Sequence, residues 1–229
     1  MDPTIAGMDT IVSLFAHPDD EANGLGGTLW LLKDRYRIVL LCLTRGERGL
    51  SPGHVEVEPA TARLREAEMR ASAALLGAEV RFLDRIDGEV FADRAICEQV
   101  AGILRELRPV LVFGMWPLDR HPDHAAASEI ARKAMRLAAY DGEFWMHEEG
   151  IHQTTAFEPD LCVDISRVVE AKNRLIRCHA CQNADDRMVL EMEKLNRFRG
   201  SKAGCQSAEG FKTAQTMRAG RISILSDLR

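Results

Sequence analysis

No stretch of this sequence stays apolar for long enough to cross a membrane, and no charged n-region followed by an apolar h-region opens it. Both absences point to a cytoplasmic protein. Positive charge is also in short supply, with 30 Lys and Arg against 35 Asp and Glu and a net charge of −5. A basic surface for nucleic acid is therefore not expected, and no membrane insertion either. Local groups such as Arg63, Arg65 and Arg70 stay available to a small polar substrate. No internal repeat, low-complexity tract or linker divides the chain. The glycines of Asn23-Gly24-Leu25-Gly26-Gly27-Thr28 miss the G-x-G-x-x-G spacing of a dinucleotide-binding turn. Close approach of backbone beside a site explains them better. Cys42, Cys97, Cys162, Cys178, Cys181 and Cys205 include one C-x-x-C pair, Cys178 and Cys181, without a second pair at zinc-finger spacing. In a cytosolic enzyme of this size they are expected to be reduced.

What is present is an ordinary globular composition, 46 % hydrophobic and 28 % charged over 229 residues, which suits one large α/β domain. Residues 1–9 read as a flexible leader and 10–229 as a single domain. Apolar runs at residues 10–14, 37–44, 80–83 and 110–115 read as strands, the first, second and fourth of them buried. Helices are expected between and after them: a short one at 29–33, one at 60–76 and others at 95–107 and 125–138. The helix at 60–76 follows Pro59 and is stopped by Gly77, and Ala67, Ala71, Ala74 and Leu75 form its apolar stripe. Strand and helix in alternation predict a parallel sheet with helices on both faces. The order 3-2-1-4 would make the first and fourth strands neighbours, and the crevice between their carboxyl ends is where such sheets bind ligands. The last third is less regular, with strands expected at 144–147 and 161–165 and helices at 168–178 and 188–198.

Two charged clusters follow those two strands. The first is Ala16-His17-Pro18-Asp19-Asp20-Glu21 and the second His121-Pro122-Asp123-His124. Charge buried at a strand end is costly unless it is paired or holds a metal. A lone His-Pro-Asp is often only a turn in which Asp caps the next helix. Two of them at adjacent strand ends point instead to one shared metal site. A catalytic zinc takes three protein ligands and keeps a position for water, and His17, Asp20 and His124 supply two imidazoles and a carboxylate. Iron(II) would accept the same set. Asp19 is then placed as general base, and His121 as oxyanion stabiliser with Asp123 fixing its ring. Glu21 reads as an acceptor for His17 or as a loop carboxylate.

These paired motifs resemble the zinc-dependent N-deacetylases of the LmbE-like (PIG-L) family, over residues 10–211. The resemblance implies a Rossmann-like three-layer sandwich with a mostly parallel sheet. It implies release of acetate from an N-acetylglucosamine-type amino sugar or its small conjugate. It gives the same ligands, His17, Asp20 and His124, the same base, Asp19, and His121 held by Asp123. It adds Arg65 and Asp87 as contacts to the sugar, and a homo-oligomer, trimer or hexamer. The family's late His-x-Ser-Gln stands here as His179-Ala180-Cys181-Gln182, and Glu209-Gly210-Phe211 resembles a late Glu-x-Phe for which only packing is expected. The loops 46–59 and 142–159 would set the aglycone. Hydrolysis of an O-acetyl ester or a non-sugar amide would use the same apparatus. A non-catalytic metal- and sugar-binding protein, or a nucleotide-binding module built on Gly24–Gly27, would not need Asp19 and His121.

Overall fold

A computed structural model describes residues 7–214 and Leu228. Most of the expected leader, and the last residues of the expected domain, lie outside the described residues. The elements run β1 (Thr10–Phe15), α1 (Asp20–Leu32), β2 (Arg37–Cys42), α2 (Pro59–Leu76), β3 (Glu79–Phe82), α3 (Arg94–Leu107) and β4 (Leu111–Met115). They continue with α4 (Pro122–Leu137), β5 (Glu143–His147), β6 (Leu161–Asp164), α5 (Val169–Cys178), α6 (Arg187–Ala203) and β7 (Ala208–Ala214). The seven strands form one sheet in the order β3-β2-β1-β4-β5-β7-β6. β1 pairs in parallel with β2 and β4, and β3 and β5 extend the sheet in parallel on either side. β7 is antiparallel to both β5 and β6. The molecule is thus an α/β three-layer sandwich with a mostly parallel sheet, and β1 and β4 are neighbours as the strand–helix alternation predicts.

β1 and β4 are buried along their whole length, because helices cover both faces of the sheet. α3 packs against α4, while α1, α2, α5 and α6 pack among themselves. α3 shows how such a helix is specified. Ile96, Val100, Ala101 and Leu104 bury one stripe, Asp93 accepts from the Ile96 N–H at 3.0 Å as N-cap, and Pro109 follows shortly after the last turn. Phe113, Trp145 and Phe211 sit side by side on β4, β5 and β7 with ring centroids 5.5 to 5.7 Å apart. Such contacts are worth about 1 kcal/mol each beyond the area they bury.

Three expectations need correction. The glycine segment is not a turn before a short helix: it lies inside α1, which starts at Asp20. On α2 the buried residues are Thr61, Arg65, Met69, Ser72, Ala73 and Leu76, whereas Ala67, Ala71 and Ala74 face solvent. That helix carries polar groups on its inner face because a site lies beneath it, so the stripe of Ala67, Ala71 and Ala74 marks the wrong side. The third is Glu209-Gly210-Phe211, expected only to pack: it lies in β7, and its glutamate is a hydrogen-bonded and ion-paired anchor. Glu209, its second residue, is buried and accepts from the N–H groups of Gly27 (2.8 Å) and Thr28 (2.7 Å) and from Thr28 Oγ1 (2.6 Å). Lys172 pairs with it at 2.6 Å and also donates to the Asn23 carbonyl at 2.6 Å. Glu209 and Lys172 therefore clamp the glycine segment from α5 and β7. Removing one partner of such a buried pair costs about 3–5 kcal/mol.

Candidate metal centre

The chain leaves β1 through His17, Pro18 and Asp19 and enters α1 at Asp20. Asp20 Oδ2 accepts from the N–H groups of Ala16 (3.1 Å) and His17 (2.8 Å), folding the turn back on itself. Asp19 has φ +121, a conformation few residues other than glycine adopt, and its N–H donates to Glu21 Oε2 at 3.2 Å. That twist directs its carboxylate to Arg65, whose Nη2 donates to Asp19 Oδ2 at 3.0 Å. The chain leaves β4 differently. Pro122 is the first residue of α4, and His121 is its N-cap, with Nδ1 accepting from the Asp123 N–H at 3.3 Å.

The carboxylates around the rings fix their protons. His17 Nε2 lies 3.1 Å from Asp123 Oδ2 and 3.2 Å from Asp87 Oδ1, and His124 Nδ1 lies 3.3 Å from Asp119 Oδ1. The Gln153 amide is 2.9 Å from the same His124 Nδ1 and can turn its oxygen to it. With protons held on those nitrogens, the lone pairs sit on His17 Nδ1 and His124 Nε2. These two face each other at 3.2 Å. Asp20 oxygens lie 3.7 Å from the first and 3.5 Å from the second. Two lone pairs and a carboxylate directed at one point repel unless a cation lies between them. Ligands about 2.0–2.1 Å from a tetrahedral zinc are roughly 3.4 Å apart, which matches this spacing.

The field points the same way. Burial opposes charge on His17, but its hydrogen bonds to Asp123 and Asp87, with the charge of Asp20, outweigh it and raise the pKa to about 10, so that without a metal a second proton on Nδ1, shared with His124 Nε2, takes the cation's place. The centre favours positive charge, and a His/Asp cluster able to coordinate a divalent metal is present. His17 also groups with His121 and His124, and with Asp87 and Asp123. The last set is already committed. Asp123 accepts from the N–H groups of Gly88 (2.7 Å) and Val90 (3.2 Å), and Asp87 Oδ2 accepts from that of Arg48 (3.2 Å). These two carboxylates orient the His17 ring, as outer partners of metal-binding imidazoles do.

The surrounding residues depart from expectation in instructive ways. The Asp123 carboxylate reaches His17, not His121, and only its main-chain N–H touches the His121 ring. Since His121 Nδ1 accepts, the proton of the neutral ring sits on Nε2. Burial, then the charges of His17 and His124, lower the His121 pKa and keep it neutral. Glu21 does not meet His17: its Oε1 accepts from Ser72 Oγ at 2.8 Å and pairs with His179 Nε2 at 3.0 Å. Arg65 lines the cavity but spends its guanidinium on Gly46 O (3.2 Å), Pro18 O (2.6 Å) and Asp19. Gly46, at φ +62, admits it: a Cβ there would lie 2.2 Å from Arg65 Nη1. Burial raises the Asp19 pKa, against the pull of Arg65. The C-x-x-C pair splits, Cys178 Sγ donating to Arg174 O and Cys181 Sγ to Glu68. Burial, then Glu68, push the Cys181 thiol up to about 12.

A cavity of about 330 Å³ opens above the centre and is lined by His17, Asp19, Asp20, Asp87, His121 and His124. Gly49 and His54 reach it from the loop after β2, Glu149 and Gln153 from the loop after β5, and Arg187, Met188, Glu191 and Met192 from the first turns of α6. Sequence reasoning points to the loops 46–59 and 142–159, which carry Gly49, His54, Glu149 and Gln153, but singles out none of these residues, nor Asp119 or the α6 wall. For Asp119 a signal existed, an acid two residues before the second cluster.

Residues 12–135 match the family described as PIG-L: GlcNAc-PI de-N-acetylase, a span that holds both clusters. This chain belongs to the PIG-L family. The PIG-L chain is 30 % identical over 220 residues to the diacetylchitobiose deacetylase of Thermococcus kodakarensis, covering 88 % of this chain and 82 % of that one. It is 28 % identical over 184 residues to the 4-oxalmesaconate hydratase of Pseudomonas putida, covering 73 % and 71 %. The crystal structure of a conserved protein from Thermus thermophilus superposes with a TM-score of 0.79 at 28 % identity, covering 94 % of this chain and 99 % of that one. Family and cluster together make this a metal-dependent hydrolase of the deacetylase type. Among the described residues no helix is long and apolar enough to cross a membrane.

Proposed function

We propose that this PIG-L hydrolase removes acetate from an N-acetylated amino sugar of the N-acetylglucosamine type, or from a small conjugate of one, in the cytoplasm. One observation carries the reading. The facing lone pairs of His17 and His124 lie in the same cavity as a carboxylate held by an arginine, Asp19, and an imidazole whose Nε2 bears the proton, His121. His17 Nδ1, Asp20 and His124 Nε2 would hold zinc, which two imidazoles and a carboxylate suit, as they also suit iron(II). When bound, the metal supplies Lewis acidity, which polarises the amide carbonyl and makes water a nucleophile at neutral pH.

The other steps belong to the chain. Asp19, oriented by Arg65, takes a proton from the attacking water and returns it to the departing amine. His121 donates its Nε2 proton as a hydrogen bond to the oxyanion that forms from the carbonyl. Asp123 and Asp87 hold the His17 ring, and Asp119 holds that of His124. Arg65 and Asp87 also present cavity surface to the sugar. A hydratase acting on a polycarboxylate fits this cavity less well, because the acids Asp19, Asp20, Asp87 and Glu191 that line it outnumber the arginines, Arg65 and Arg187.

Acetate release from a panel of N-acetylglucosamine conjugates, with metal-free and zinc-restored enzyme side by side, tests the reading. Acetate that forms only with metal is the expected result. Metal-loaded enzyme that releases no acetate from any amino sugar would overturn it in favour of an ester, another amide or hydration.

A further inference from the structure

The wall of the cavity beside α1 carries polar atoms that the reaction above does not use. Glu149 follows β5, is 6 % exposed and lines the cavity. Its Oε1 is buried and has no hydrogen-bond partner among the described residues. The nearest candidate, His147 Nδ1, lies 3.0 Å away but without the alignment a hydrogen bond requires. Asn23, which also lines the cavity, has a buried Oδ1 without a partner among the described residues. Buried polar atoms of this kind are normally satisfied, and both residues line the cavity, so a group bound there can supply the missing partner.

The wall is built with care. A Cβ on Gly24 would lie 2.1 Å from His147 Nδ1 and 2.7 Å from Glu149 Oε1, so only glycine lets both side chains rest against α1. The Glu149 N–H donates to Thr154 Oγ1 at 2.9 Å, and Thr154 Oγ1 donates to Asp119 Oδ2 at 2.9 Å. Asp119 in turn faces His124. The wall is therefore fixed to the same bridge that orients the centre. Burial, then the charges of Asp20, Asp119 and Asp19, raise the Glu149 pKa well above its ordinary value, and in its protonated form the side chain offers both a donor and an acceptor. A sugar hydroxyl, itself donor and acceptor, complements that pair. A carboxylate or phosphate would meet the unfavourable field of the neighbouring acids.

The geometry points to Glu149, with Asn23 beside it, as the residue that grips a ring hydroxyl of the substrate and so selects a sugar over a simple amide. This rests on the amino-sugar reading above. Glu149 does not touch the reacting atoms in this account, so its loss should appear in KM and not in kcat.

Steady-state acetate release by wild type, Glu149→Leu and Glu149→Gln, on the sugar and on its single-deoxy analogues, tests the inference. Glu149→Leu is expected to raise KM for the full sugar about tenfold, the worth of one hydrogen bond, with kcat within about twofold. For one deoxy analogue, wild type and Glu149→Leu should have the same KM, because the gripped hydroxyl is gone. Glu149→Gln, which keeps a donor and an acceptor, should restore most of the affinity. Unchanged KM in Glu149→Leu, or an equal rise on every deoxy analogue, would overturn the inference while leaving the deacetylase reading intact. A wild type that turns over no amino sugar would overturn that reading instead. Should Glu149→Leu fail to fold, as read by its urea midpoint, the wild-type and Glu149→Gln series decides alone: no deoxy analogue that binds more weakly than the sugar, or a glutamine variant with tenfold higher KM on all of them, goes against the grip.

Discussion

Two His-Pro-Asp turns leave two neighbouring strands, and the same three residues do different work in each. After β1 the helix starts at Asp20, beyond the tripeptide; after β4 it starts at Pro122, inside it. In the first turn the histidine directs Nδ1 at the centre and the third residue, Asp19, is held by Arg65. In the second the histidine caps its helix and the third residue, Asp123, crosses over to hold the His17 ring. The offset of the helix start by two residues rotates the following side chains about the helix axis. A short motif therefore does not fix a role. The hydrogen bonds around it do.

The comparison can be broken most severely at the imidazoles. His124→Ala should lower metal affinity by more than ~100-fold and abolish turnover, whereas His121→Ala should keep its metal and lose ~10²–10³ in kcat. Metal content after desalting separates them, and equal metal loss in both variants would put His121 among the ligands. Next come the two aspartates at the third position. Asp19→Asn should retain metal and lose ~10²–10⁴ in kcat. Asp123→Asn should weaken metal binding ~10- to 100-fold, yet turn over well once saturated with metal. Titration with metal during turnover distinguishes these, and saturating metal that rescues Asp19→Asn would remove Asp19 as the base. The prolines give the smallest effect. Pro122→Ala should cost about 0.5–1 kcal/mol in the urea midpoint because Pro122 pre-sets the first helical turn. Pro18 lies outside the helix and its alanine variant should not show that helical loss.

Much of the parallel half of the sheet was legible. β1, β2 and β4 read directly, because strands covered on both faces are continuously apolar. The neighbourhood of β1 and β4 followed from the alternation alone. Other elements resisted for identifiable reasons. α1 is masked by glycines that its neighbours need for close approach, and the inner face of α2 by Arg65 and Ser72, which serve the centre. β7 carries Glu209 at a buried position, and its charge hides the strand until Lys172 and the amides of Gly27 and Thr28 are brought to it. The centre divides in the same way. His17, Asp20 and His124 were nameable from donor type and strand ends, but Asp119, Glu149 and Gln153 come from connecting segments whose course no periodicity records.

By itself the sequence determined which chemical groups arrive at the ends of β1 and β4, since apolar strands must be buried and whatever follows them emerges at the sheet's carboxyl edge. Only the tertiary structure decided which nitrogen of each ring is free and which carboxylate holds it. It also decided which acids remain unpartnered in the cavity. Those choices depend on how α1, α4 and the loop after β5 are rotated against one another. A hydrogen bond is made or lost over less than an ångström, and no local pattern in the chain encodes that distance.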